Sequence, residues 1–309
     1  MRILFLGTPD FAVPVLRALG ASRHEVIGVV TVPDKPSGRG QRLRASAVKK
    51  AAKKLNLPIY QPTDLQDPNF LTTVEDLDLG LMVVVAFRIL PQSLYTIPEH
   101  GAINLHASLL PQYRGAAPIQ HAIMNGEEET GVTTFFLQPT VDTGDILLQE
   151  SIPIGEDENA GSVHDRLADV GADVVVKTVN GIADDSITPK PQDDTKASPA
   201  PKIHREDCEI FWAQPVRDVH NHIRALSPYP GAFTHWNESQ VKVFAGNILH
   251  LKSSRKPAGE VLSVGNDTIQ IACDPGVYAI TELQLAGKKR MSAADFLNGY
   301  DLQSGEQLG

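Results

Sequence analysis

Five consecutive apolar residues, Leu81-Met82-Val83-Val84-Val85, limit the fold more than any other stretch of the chain. A half-exposed strand alternates apolar and polar side chains, whereas a run with no polar face must be covered on both sides. Ile3-Leu4-Phe5-Leu6 and residues 25–32 have the same character. All three runs are strand-sized, well short of the roughly 20 residues needed to span a bilayer. Helix-period segments separate them. After Gly7-Thr8, Pro9 and Asp10 open an amphipathic helix with Ala12, Val15, Leu16 and Leu19 on one face and Thr8 as its N-cap. Residues 46–55 and 117–124 read as further helices, and 58–60, 80–87 and 102–106 as further strands. This alternation predicts an α/β domain with a Rossmann-like, mostly parallel sheet covered on both faces.

Residues 132–137 and 145–152 then read as a strand pair around the loop 138–144, followed by a helix over 162–178. Residues 188–201 are rich in Pro and poor in large apolar residues, a linker composition. Beyond them, a helix over 215–225 precedes short β-like runs at 240–245, 259–264, 268–272 and 277–285. Such a series predicts a small β-barrel, OB-like, or a sandwich. The expected organisation is a first domain over 1–188, a linker over 189–205 and a second domain over 206–309.

Several function classes are disfavoured. The turn Gly7-Thr8-Pro9-Asp10-Phe11 lacks the second and third glycines of a dinucleotide fingerprint, and Gly38-Arg39-Gly40 is not followed by the Lys-Ser/Thr of a phosphate loop. His220 and His222 have no Cys/His cluster at zinc spacing, so no metal is expected. Cys208 and Cys273 stand far apart and imply no disulfide framework. The run after Met1-Arg2 is short for a signal peptide and ends without a cleavage site, so a cytoplasmic protein is expected, with no membrane partner. A net charge of -9 argues against indiscriminate nucleic-acid binding. Lys35, Arg39, Arg42, Arg44, Lys49, Lys50, Lys53 and Lys54 nevertheless crowd one segment, opposed there by Asp34 alone. They read either as a solvated helix face or, given Gly38-Arg39-Gly40, as arginines on a flexible loop.

Asn104-Leu105-His106 lies at the end of a predicted buried strand, where residues two apart share a face. An amide and an imidazole there, met by a carboxylate from a later loop such as Asp142-Thr143-Gly144-Asp145, would make an acyl-transfer site without metal. Taken alone, His106 reads as a structural histidine and Asp142 as an Asx-turn residue.

Together, Asn104-x-His106, Ser108-Leu109-Leu110-Pro111, Tyr113-Arg114-Gly115 and Asp142-Thr143-Gly144-Asp145 resemble the folate-dependent formyltransferase family. The opening Gly7-Thr8-Pro9-Asp10-Phe11-Ala12, the segment 33–40 and Ala286-Gly287-Lys288-Lys289-Arg290-Met291-Ser292-Ala293 are similar to the members that act on initiator methionyl-tRNA. The resemblance implies a monomeric enzyme of translation initiation that moves the formyl group of 10-formyltetrahydrofolate, its co-substrate, to the methionyl amino group of that tRNA. By the same resemblance Asn104, His106 and Asp142 are catalytic, and Ser108, Leu109, Leu110, Pro111, Phe87 and Ile89 lie against the folate. Arg88 stands where family members often have Gly, so its side chain must turn away from that ligand. Lys35, Arg39, Arg42 and Arg44 would meet the acceptor end of the tRNA, with Lys288, Lys289 and Arg290 as a second basic patch. A related formyltransferase acting on a small amine, or an RNA-binding module with no activity, are the alternatives.

Overall fold

The apolar runs form the centre of a seven-stranded sheet. The computed structural model describes residues 1–37, 42–252 and 254–309. The chain divides into two compact units: Met1–Gly115, Thr130–Ile152 and His164–Ala200 form the first, and Ala116–Glu129, Pro153–Val163 and Pro201–Gly309 the second.

In chain order the elements up to α6 are β1 (Arg2–Gly7), α1 (Ala12–Gly20), β2 (Glu25–Val30), β3 (Lys35–Ser37), β4 (Arg42–Arg44), α2 (Ala47–Lys54), β5 (Ile59–Tyr60), α3 (Pro68–Glu75), β6 (Leu81–Val85), α4 (Gln92–Tyr95), β7 (Ala102–His106), β8 (Arg114–Gly115), α5 (Pro118–Met124), β9 (Glu129–Phe136), β10 (Ile146–Pro153) and α6 itself (Ala160–Ala183). The sheet order is β10-β9-β7-β6-β1-β2-β5. The pairs β1/β2, β1/β6, β6/β7 and β2/β5 are parallel, and β9 runs antiparallel to β7. β1 and β6 are covered on both faces, as their composition requires. The chain winds outward from β1 to β5 and then returns to β6. The strand order therefore reverses between β1 and β6, and the carboxyl ends of β1, β6 and β7 make the crevice where ligands bind in open α/β sheets.

Three local expectations change. Thr8 does not cap α1: Phe11 holds the N-cap position without a side-chain bond, and among the described residues the buried Thr8 hydroxyl has no hydrogen-bond partner. The Pro9 and Asp10 carbonyls accept from Ala12 N and Val13 N, so the turn itself occupies the donors a cap would reach. The loop expected before α2 has paired stems. β3 and β4 form a hairpin with Lys35 opposite Arg44 and Ser37 opposite Arg42. Arg39 lies outside the described residues, as does the side chain of Arg42.

The Pro-rich segment is also more than a tether up to Ala200. Lys190 exchanges two backbone bonds with Ile146, and β11 (Pro199–Ala200) pairs in parallel with β8. Composition registers only its lack of apolar residues. The bonds that dock it use backbone and amide groups, which no hydropathy pattern reveals.

In the second unit, α7 (Val216–Ala225) packs beside a sheet of β12 (Ala232–Trp236), β13 (Ser239–His250), β14 (Val261–Val264), β15 (Ile269–Cys273), β16 (Gly276–Leu285) and β17 (Met291–Ser292), with α8 (Ala293–Gly299) against β16. Its strands pair antiparallel in the order β12-β13-β16-β15-β14, with β17 on β16. Residues 306–309 bond to both edges of this antiparallel sheet. Val261 N donates to Glu306 O (2.8 Å), Leu308 N to Gly259 O (2.9 Å) and Gly309 N to His235 O (3.0 Å). Pairing an edge in this way removes an aggregation-prone template.

Leu308 belongs to the apolar core of this unit. Leu308→Ala should cost about 2–5 kcal/mol of stability. Both tryptophans, Trp212 and Trp236, lie in this unit, so a urea titration followed by their fluorescence reads its unfolding. An unchanged midpoint would mean that the tail is not part of the core.

Candidate active site

Asn104 and His106 end β7 and, being two apart on a strand, face the same side of the sheet. His106 is buried. Its Nε2 lies 2.8 Å from the Tyr113 carbonyl oxygen. A carbonyl only accepts, so Nε2 carries a proton and Nδ1 is the basic nitrogen of the neutral ring. Nδ1 stands 3.8 Å from Asp142 Oδ2, with the carboxylate only 12% exposed. That distance exceeds a hydrogen bond but suits an ion pair once the ring is protonated. Ring orientation is therefore set by Tyr113, and Asp142 supplies the counter-charge. The Asn104 amide is half-buried, and among the described residues no hydrogen bond holds its side chain.

Asp142 is in the left-handed region (φ 56°), and its Oδ2 accepts from Gly115 N at 2.9 Å. Its loop is gripped by Gln192, whose Nε2 donates to Asp142 O (2.9 Å) and Gly144 O (2.8 Å). Gln192 is gripped in turn, its Oε1 accepting from Arg114 Nε (3.1 Å) and Nη2 (2.7 Å). Arg114 also pairs with Asp194 at 2.7 Å. The motif Tyr113-Arg114-Gly115 thus has three separate tasks: a carbonyl for His106, a guanidinium for Gln192 and an N–H for Asp142. Two glycines are required by close approach. A Cβ on Gly144 would sit 1.6 Å from Phe136 O, and one on Gly115 (φ 131°) 2.4 Å from Ala200 O. Gln192 and its bonds were not legible in the sequence, where the residue sits inside an apparent linker.

The turn after His106 is braced from within. Ser108 Oγ donates to Gln112 O (2.6 Å), Thr133 Oγ1 to Ser108 O (2.6 Å), and Gln149 Nε2 to Leu110 O (2.9 Å). Ser108 and Leu110 are buried, so their side chains serve the turn; Leu109 and Pro111 are half-buried. After β6, Ala86 takes φ 47°, Phe87 is half-buried and Ile89 is 78% exposed. Arg88 turns back on the fold, donating to Thr63 O (3.0 Å) and Pro62 O (2.9 Å), with its guanidinium over the Phe87 ring.

Of the basic residues, Lys35 and Arg44 are exposed at the hairpin base, and Lys288 and Lys289 are exposed in the second unit. Arg290 differs: it pairs through two nitrogens with Glu282 and stacks on Phe244, so much of its charge is locally neutralised. Among the described residues no group of three or more His, Cys, Asp or Glu is arranged to hold a metal ion, and no helix is long and apolar enough to cross a membrane.

The family model for formyl transferase matches residues 1–179, and that for the formyl transferase C-terminal domain matches 202–301. The chain is 44% identical to the methionyl-tRNA formyltransferase of Citrifermentans bemidjiense, covering 100% of this chain and 96% of that one. It is 45% identical to the methionyl-tRNA formyltransferase of Moorella thermoacetica, covering 100% and 99%. Among solved structures, an N-formyltransferase from Helicobacter canadensis, in complex with folinic acid and dTDP-3-aminofucose, superposes with a TM-score of 0.69 at 17% identity. That match covers 94% of this chain and 99% of the other, and at this identity it speaks to fold alone.

Gly144→Ala should destabilise the first unit by at least about 2 kcal/mol, because the new methyl meets backbone rather than a movable side chain. Calorimetry would register this as a lowered transition, and a loss below about 0.5 kcal/mol would show that the loop relaxes freely.

Proposed function

The chain belongs to the formyl transferase family, and from that premise we propose that it transfers the formyl group of 10-formyltetrahydrofolate to the methionyl amino group of initiator methionyl-tRNA. The observation that carries the chemistry is an Asn104 amide with no hydrogen-bond partner among the described residues, beside a His106 whose Nδ1 faces Asp142. The choice of acceptor is supported by relatives at 42–45% identity along the whole length, all bearing the name methionyl-tRNA formyltransferase.

The neutral amine attacks the formyl carbon, and the carbonyl oxygen becomes an oxyanion. Asn104 donates its side-chain N–H to that oxygen, a contact worth about 3–4 kcal/mol when such a donor is preorganised. His106 accepts the proton released by the amine at Nδ1, the nitrogen left free by the Tyr113 bond. The imidazolium so formed is stabilised by the Asp142 carboxylate 3.8 Å away. His106 then returns the proton to the departing folate nitrogen, so one proton and one formyl group exchange places. Acid–base help of this kind contributes about 10²–10⁴ in rate. Phe87, Ile89, Leu109 and Pro111 are the candidates for folate contact, Ile89 being the most open of them. Lys35, Arg39, Arg42, Arg44, Lys288 and Lys289 are the candidates for tRNA contact. The setting is the cytoplasm.

The test is direct: incubate the protein with 10-formyltetrahydrofolate and charged initiator tRNA, deacylate, and look for formylmethionine. Product from a small amine but none from the tRNA would replace this reading with the small-amine one. Asn104→Ala should lower kcat about 10²–10³-fold with KM nearly unchanged. Gln192→Ala, which frees the Asp142 loop without touching the reacting atoms, should lower kcat roughly 10- to 100-fold. A rise in KM alone in the Gln192 variant would contradict the positioning role.

A further inference from the structure

The first unit has a cleft of about 550 Å³ between α1, α2 and the base of the β3–β4 hairpin. Among the described residues Arg17, Lys35, Arg44, Lys50 and Lys54 line it, against a single carboxylate, Asp10. All five cations are exposed, and among the described residues none is in an ion pair. The neighbouring acid is already taken: Asp34 binds Lys49 Nζ at 2.7 Å, and that ammonium holds the carboxyl below its usual range. Lys49, which also donates to Gln61, is thereby withdrawn from the cleft.

Local stability runs against this arrangement. Lys35 stands directly opposite Arg44 across the hairpin, and like charges so placed repel. Lys50 and Lys54 are four apart on α2, again an unfavourable like-charge spacing. Two such placements converging on one cleft are accounted for by an anion that the cleft receives. The turn at its edge is not built for a nucleotide pyrophosphate, because Pro9 has no N–H and Phe11 is bulky where glycine would be needed. The cleft's principal means of recognition is then the charge of its five side chains, which suits a polyanion whose phosphates are spaced along a backbone.

We propose that Arg17, Lys50 and Lys54, with Lys35 and Arg44, form a phosphate track for the RNA backbone of the acceptor, extending the hairpin's basic surface onto α1 and α2. The inference rests on the tRNA reading above. The test compares wild type with the Arg17→Ala/Lys50→Ala/Lys54→Ala variant, using Lys53→Ala, on the same helix but outside the cleft lining, as a single-charge control. For the triple variant, KM for methionyl-tRNA should rise about 10-fold or more. The slope of log(kcat/KM) against log[salt] should become shallower by about 2–3, one for each phosphate left without its cation. KM for 10-formyltetrahydrofolate should stay at its wild-type value, the thermal transition should hold or rise because the like-charge pair on α2 is removed, and the Lys53 control should match wild type in the salt slope. Fluorescence anisotropy with uncharged tRNA separates the two readings. If wild type forms no formylmethionine but the triple variant still binds the RNA more weakly and with a shallower slope, the track stands and the acceptor reading falls. If wild type formylates the tRNA and the triple variant keeps both KM and salt slope, the track is wrong. A conservative Arg17→Lys/Lys50→Arg/Lys54→Arg variant should restore the slope; failure to do so while the triple variant is impaired would assign the loss to shape rather than charge and overturn the track.

Discussion

A carboxylate held almost out of water beside an imidazole needs partners, and the placement of Asp142 is the constraint on which the rest of the site depends. Its side chain is met by one N–H, from Gly115, and its backbone by one amide, from Gln192. Neither partner is near Asp142 in sequence. Gly115 follows the strand that carries His106, and Gln192 belongs to the segment after α6, docked by Lys190 on one side and β11 on the other. Arg114 completes the lock by holding Gln192 through two nitrogens. The sheet presents Asn104 and His106; these hydrogen bonds, not apolar packing, bring the acid to them.

That division decides what could be read from the sequence. Asn104 and His106 were legible because strand periodicity fixes which residues share a face, and buried runs announce their strands. Asp142 was legible only through a motif, since its loop has no period. Gln192 was invisible: an amide's value depends on which two carbonyls it reaches, and the composition around it argued for a tether. Thr8 failed as a cap for a related reason. A hydroxyl in the right place in sequence does nothing when Pro9 and Asp10 carbonyls have already taken the first helix donors. The C-terminal strands were readable as strands, but not the tail that joins their edges.

Charge obeys the same limit at longer range. The total of -9 bears on solubility and says little about any one face. What matters is which cations keep their charge to themselves. Lys49 and Arg290 look equivalent to their neighbours in sequence, yet one is taken by Asp34 and the other by Glu282 and Phe244. Lys50 and Lys54 escape because α2 turns them to a different side from Lys49, toward a cleft that holds one acid.

The turn after β1 is where hydrogen bonding and charge meet. In a sheet wound this way, the first βα turn is the natural anion site, provided its backbone N–H groups are free to point at the ligand. Pro9 removes one such group, and the Ala12 and Val13 N–H groups are turned to the Pro9 and Asp10 carbonyls. Backbone recognition of a single compact phosphate group is thereby weakened at this position. Anion recognition shifts to long side chains around the turn, which bind charge over an extended surface rather than one group in a fixed cradle. Pro9 and Phe11 thus disfavour a compact phosphate at this turn and leave an extended anion to the long side chains around it.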